Sequence, residues 1–121
     1  MVSKLRKYNI PEPFNIRYSR AKAGALFRNQ EWAFTDKTWY KVWEDSGVKE
    51  HMGGESYHYC MVRADDTEAH GPHNCLIIPR RMHYKKLYWT YIKNFPKVDY
   101  NPIKHGYYVP PETLERYKDA E

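Results

Sequence analysis

The 121-residue sequence predicts a single α+β domain, and three observations carry that expectation. Apolar residues recur at helical spacing in the first half of the chain. Alternating apolar residues flank a polar loop in the middle, and a proline followed by a basic run closes that segment. Tyr57 to Lys86 therefore reads as strand, loop, strand and basic helix within thirty residues, and it holds both cysteines and four of the six histidines. Around it the chain divides into a basic extended arm (1–15), a hairpin-and-helix domain preceded by two helices (16–94), and a tail rich in Pro and Tyr with a short terminal helix (95–121).

The arm carries Lys4, Arg6 and Lys7 and then Pro11 and Pro13, without periodicity. From Ile16 to Gln30 good helix formers place Ile16, Ala23, Leu26 and Phe27 near one face, with Arg17, Arg20, Lys22 and Arg28 making the helix basic. Glu31 to Phe34 is a candidate strand. Thr35 then stands where a helix N-cap belongs, and Asp36 adds negative charge to the first turn. The helix it starts sets Trp39, Val42 and Trp43 on one face at core spacing and ends at Gly47.

Tyr57 to Arg63 alternates as a strand does, Asp65 to His73 is polar, and Cys75 to Ile78 is short and apolar, which together make a hairpin with a long loop. Pro79 suits the first turn of a helix that continues to about Tyr91, basic at first and apolar and aromatic later. Beyond Asn94, Pro96, Pro102, Pro110 and Pro111 alternate with Tyr100, Tyr107 and Tyr108, an extended segment that lies on a surface, and PETLERYKDA closes the chain as a helix.

Lys and Arg number 20 against 15 Asp and Glu, a net charge of +5. That balance favours polyanionic partners, nucleic acid first and an acidic protein surface second. Aromatic residues make up 17% of the chain, with 12 Tyr and 4 Trp, so the core must be built from rings whose polar tips need partners. Two lone cysteines and no visible signal peptide fit a reducing compartment. No apolar run approaches the roughly 20 residues that span a bilayer, so no membrane partner is expected.

A loop rich in Asp, His and Asn beside a helix that starts basic can hold a divalent cation next to a phosphate. The metal offsets phosphate charge, a histidine deprotonates water, and Arg80 and Arg81 at the helix start hold the backbone. The order Arg63, Asp65, Gly71, Asn74, Cys75 and Arg80, with His83 beyond and the Trp39/Trp43 helix ahead, resembles the small HNH endonuclease-like proteins of bacteriophages. The resemblance covers roughly residues 17 to 86. It implies a ββα-metal fold, Asn74 orienting a catalytic histidine, His83 as metal ligand, and Mg2+ or a similar cation as cofactor.

The sequence departs from that family at two positions. Active enzymes end the first strand with a metal-binding Asp or His followed by the general-base His, and Val62 and Arg63 stand there. Valine has no ligand atom and arginine stays protonated. Catalysis would then need Asp65 or Asp66 with His83 as metal ligands and His70 or His73 as base, with Asn74 in support. Arg63, Arg80, Arg81, Lys85 and Lys86 are the expected nucleic-acid contacts.

Plain structural roles are open to the same residues: Asn74 as a turn former, His83 as a surface or phosphate contact, and Asp65 and Asp66 as partners of Arg63, Arg80 or Arg81. Zinc is a second metal candidate, through the repeated His-x-Cys of His58/Cys60 and His73/Cys75. The expected function is thus a phage HNH-like protein that binds nucleic acid, DNA before RNA, with nicking activity open. The alternative is a structural component of a phage particle that grips its neighbours through the C-terminal tail. Host cytoplasm and virion are the expected locations.

Overall fold

The second helix shows how directly local chemistry sets the chain. In the computed structural model, which describes residues 8–55, 57–87 and 108–118, with backbone alone at 84–87 and 118, Thr35 begins a capping box. Its hydroxyl accepts from the Thr38 N–H at 3.1 Å, and the Thr38 hydroxyl accepts from the Thr35 N–H at 2.9 Å. Helix α2 (Asp36–Ser46) follows and stops at Gly47, whose φ of 76° is the left-handed conformation that glycine adopts without strain. Trp39, Val42 and Trp43 are buried along it, as the sequence predicts.

Helix α1 (Phe14–Phe27) begins two residues earlier than the sequence indicates and buries a different face. Phe14, Asn15, Tyr18 and Ala25 are inside, whereas Ile16, Leu26 and Phe27 are exposed, Phe27 at 89%. The reason lies in the rings. Tyr18 donates its hydroxyl to the Phe34 carbonyl at 3.2 Å and accepts from the Trp32 indole N–H at 3.0 Å, so its polar tip is satisfied inside the core. Edge-on packing joins Tyr18 to Tyr8, Trp32 and Trp39, and Trp39 to Trp43. An aromatic core with internal hydrogen bonds takes precedence over the aliphatic stripe.

The arm boundary shifts with it. Tyr8 and Ile10 pack against this core, and the Asn9 N–H donates to Asp36 Oδ2 at 2.6 Å. Lys4, Arg6 and Lys7 lie outside the described residues. Glu31 to Phe34 does not form a strand with a neighbour of its own; a single parallel bridge joins Trp32 to His70.

A 3-10 turn (Lys49–His51) leads to an antiparallel pair, β1 (Tyr59–Val62) and β2 (Leu76–Pro79), with Cys60 opposite Ile78 and Val62 opposite Leu76. Both faces are covered. Cys75 and Ile77 join the aromatic core of α1 and α2, with Tyr59 and Met61 packed against it. Cys60, Val62, Leu76 and Ile78 form a second cluster with Met82, Val109 and Tyr117. Helix α3 (Arg80–Leu87) starts directly after β2, so Pro79 closes the strand instead of opening the helix. The expected continuation to Tyr91 lies outside the described residues.

The chain end is part of this packing. The Ile77 N–H donates to the Tyr108 carbonyl at 3.1 Å, and helix α4 (Pro111–Lys118) docks on the hairpin loop. Thr113, fully buried, accepts from the Cys75 N–H at 3.0 Å and donates to the Pro72 carbonyl at 2.7 Å. Arg116 donates through Nε to the His73 carbonyl at 2.6 Å and grips the Glu68 carboxylate with both terminal nitrogens. The terminal helix expected from Pro111 is present, and where the sequence predicts an extended segment lying on a surface, Tyr108, Val109 and Tyr117 pack into the two clusters of the domain. The rest of the tail, with Tyr100 and Tyr107, lies outside the described residues. The observed architecture is mixed helix and a two-stranded antiparallel sheet, an α+β arrangement. Among the described residues no helix is long and apolar enough to cross a membrane.

Candidate nucleic-acid interface

Three separate elements turn arginines toward one space. A cavity of about 880 Å³ runs along β1 and is bordered by Arg17 and Arg20 from α1, by Arg28 at the C-cap of α1, by Arg63 just past β1, and by Arg80 at the start of α3. On an ideal helix Arg20 and Arg28 fall about 60° and about 20° from Arg17, so all three share one side of α1. Gly24 lies on that side too, and the Arg28 guanidinium folds back over it: a Cβ built at Gly24 would stand 3.3 Å from Arg28 Nη1. Asp66 is the only carboxylate among the described residues of the lining. Five guanidinium groups against one carboxylate make a strongly positive concavity, and guanidinium geometry suits phosphate oxygens.

The loop 65–73 brings two groups of the expected site to this cavity and leaves two outside. Asp66 and His70 border it, together with His83 of α3. Asp65 does not: its Oδ1 accepts from the backbone N–H and the hydroxyl of Thr67 at 2.9 and 2.6 Å, an Asx turn that shapes the loop. His73 does not either. Its ring lies over the buried Gly71, where an added Cβ would come within 2.7 Å of it and displace it.

Asn74 has no exposed surface. Its Oδ1 accepts from the Asp65 N–H at 2.7 Å, and its Nδ2 donates to the carbonyls of Asp65 at 2.9 Å and Ala69 at 3.0 Å. The side chain is thus a staple across the loop and positions its backbone without touching anything in the cavity.

His70 is held by both backbone and ring. Its N–H donates to the Glu31 carbonyl at 2.9 Å, its carbonyl accepts from the Ala33 N–H at 2.6 Å, and its ring lies 5.3 Å from that of Trp32. Nε2 meets Gln30 Oε1 at 2.8 Å, so with the amide assigned this way Nε2 carries the proton. Burial, joined by the charges of Arg63 and Arg28, pushes the imidazole down to about 4, so it is neutral at physiological pH.

The other expected contacts divide similarly. Arg63 borders the cavity while donating Nη1 to the Glu68 carbonyl at 3.1 Å. Arg80 does so while its Nε donates to the Gly53 carbonyl at 3.0 Å. Arg81 is exposed on α3 and is not part of the lining. The backbone of Lys85 and Lys86 is helical, and their side chains lie outside the described part.

These positions bear on metal chemistry. Asp66, His70 and His83 share a cavity border, yet among the described residues no three His, Cys, Asp or Glu side chains group so as to hold a metal ion. The described residues do not by themselves make a resident Mg2+ site, which needs several oxygens around one point. They do not fit zinc through the His-x-Cys pairs either. Cys60 and Cys75 are free thiols in separate clusters on opposite faces of the hairpin, and burial pushes them up to about 11 and about 12 respectively.

Arg17, Arg20 and Arg28 were absent from the sequence-predicted site, although spacings of three and eleven residues place them on one helix side. Gln30 and Trp43, which also border the cavity, carry no comparable signal. No protein-family model matches the chain, and neither a curated protein nor a solved structure does.

Proposed function

We propose that this protein binds nucleic acid, holding the phosphate backbone along the arginine-bordered cavity, on a hairpin-plus-helix scaffold of HNH-like type whose catalytic positions have been replaced. The observation that carries this reading is that Arg17, Arg20, Arg28, Arg63 and Arg80, from three separate parts of the chain, border one concavity with a single carboxylate among its described lining residues. Cations that border one space repel one another, and the natural counterpart is a polyanion that neutralises several at once. The chain order β1, β2, α3 with Asn74 stapling the loop agrees with the HNH-like reading. The replacement of ligand and base by Val62 and Arg63, and the absence of a metal-holding group among the described residues, favour binding over cleavage.

The test is equilibrium binding of a fluorescently labelled oligonucleotide, followed by anisotropy across a salt series, with incubation in magnesium, manganese, nickel or zinc as a second arm. Salt-sensitive binding with the oligonucleotide left intact is the expected result. Absence of binding at low salt contradicts the proposal, and metal-dependent strand cleavage contradicts its non-catalytic half.

A further inference from the structure

Resting on that reading, we infer that the cavity accepts an unpaired nucleotide of a single strand, base inward and phosphates on the arginine border. Three observations point this way. The first is shape. Proteins that read duplex DNA insert a convex helix or ribbon into a groove, whereas this positive surface is concave, and about 880 Å³ falls within the range of sites that enclose a small molecule. A duplex does not enter such a space; one or two splayed nucleotides do.

The second is the neutral polar pair in the cavity lining. Phosphate alone calls for cations, yet Gln30 and His70 stand among the arginines, joined at 2.8 Å. With Nε2–H donated to the Gln30 carbonyl, the Gln30 amide N–H groups remain as donors and His70 Nδ1 as an acceptor. Donor and acceptor side by side match the edge of a nucleobase, whose hydrogen-bonding groups alternate in the same way.

The third concerns Trp43 and Tyr59, which also border the cavity. The Trp43 indole N–H is buried and has no acceptor among the described residues. Tyr59 is half-buried and offers a ring of the kind on which single-strand binders stack bases.

Anisotropy titrations with a single strand, its duplex, and the same single strand carrying abasic sites separate the possibilities, in DNA and in RNA. We expect the intact single strand to bind about tenfold tighter than either the duplex or the abasic strand. Gln30→Ala should weaken single-strand binding several-fold with no change in its salt dependence, because it removes base contacts and no charge. His70→Ala serves as a second reporter. A preference for DNA or RNA assigns the sugar and agrees with the inference either way. Equal or tighter binding of the duplex, or an abasic strand that binds as well as the intact one, overturns it while leaving backbone binding in place. No binding of any form overturns both.

Discussion

The side chain of Asn74 holds the backbone of Asp65 from both sides, its Oδ1 accepting the Asp65 N–H at 2.7 Å and its Nδ2 donating to the Asp65 carbonyl at 2.9 Å. A third bond, to the Ala69 carbonyl, closes the loop that carries Asp66 to the cavity and leads into His70. Asn74→Ala would leave three backbone groups without their partner, and each unsatisfied buried group costs about 1–3 kcal/mol. Denaturant unfolding should show a loss of about 3 kcal/mol or more. A loss below about 1 kcal/mol would mean that the loop is held by other means.

The C-terminal helix fastens the same loop from outside. Thr113→Val keeps the shape of the side chain and removes its bonds to Cys75 and Pro72, so a loss of about 2–3 kcal/mol is expected in the same measurement. Removing residues 108–121 should unfold the domain, because Tyr108, Val109 and Tyr117 pack against its two clusters. A truncated chain that stays folded at unchanged stability would contradict this packing.

Stability should depend on pH through His70. The group titrates near 6.5 when unfolded and is pushed down to about 4 when folded, so between those values the unfolded chain binds more protons. The stability that the neutral imidazole contributes is present above about 6.5 and is lost progressively as pH falls toward about 4. Thermal unfolding from pH 7 to pH 4 should show a falling midpoint, and His70→Gln should flatten part of that fall. Equal pH profiles for the two proteins would show that His70 is not the titrating group. Glu68 works in the same direction lower on the scale, since Arg116 holds its carboxyl below the ordinary range and that contribution disappears as the carboxyl protonates.

Phe27 provides the opposite kind of test. It is 89% exposed at the end of α1, so Phe27→Ser should change stability by no more than about 0.5 kcal/mol. A larger loss would mean that the ring is covered in solution.

Where the sequence was legible, one residue type had one physical job. Thr35 ahead of Asp36, Gly47 at a left-handed end, and Trp39 and Trp43 at core spacing each have a single reading, and each was met in the structure. Helix α1 was harder because hydrophobicity by residue type favours Ile16 and Leu26 over Tyr18, although Tyr18 enters the core by satisfying its hydroxyl on Phe34 and Trp32. The site was half legible for a related reason. Arg63 and Arg80 lie next to the hairpin and were read with it. Arg17, Arg20 and Arg28 reach the same cavity from a helix more than thirty residues upstream, and only tertiary packing brings them there. The docking of Thr113 and Arg116 on the loop is a long-range contact that no local pattern announces.

Nucleic-acid binding at the arginine-bordered cavity is tested most directly by the salt dependence of single-strand affinity in the wild-type chain and in Arg17→Ala/Arg28→Ala. Each neutralised phosphate contributes a slope of about 0.7 in log affinity against log salt, so removing two arginines should weaken binding and make the slope shallower by about 1.4. Unchanged affinity and slope in a variant that retains the wild-type unfolding midpoint would contradict the assignment of this cavity as the nucleic-acid site.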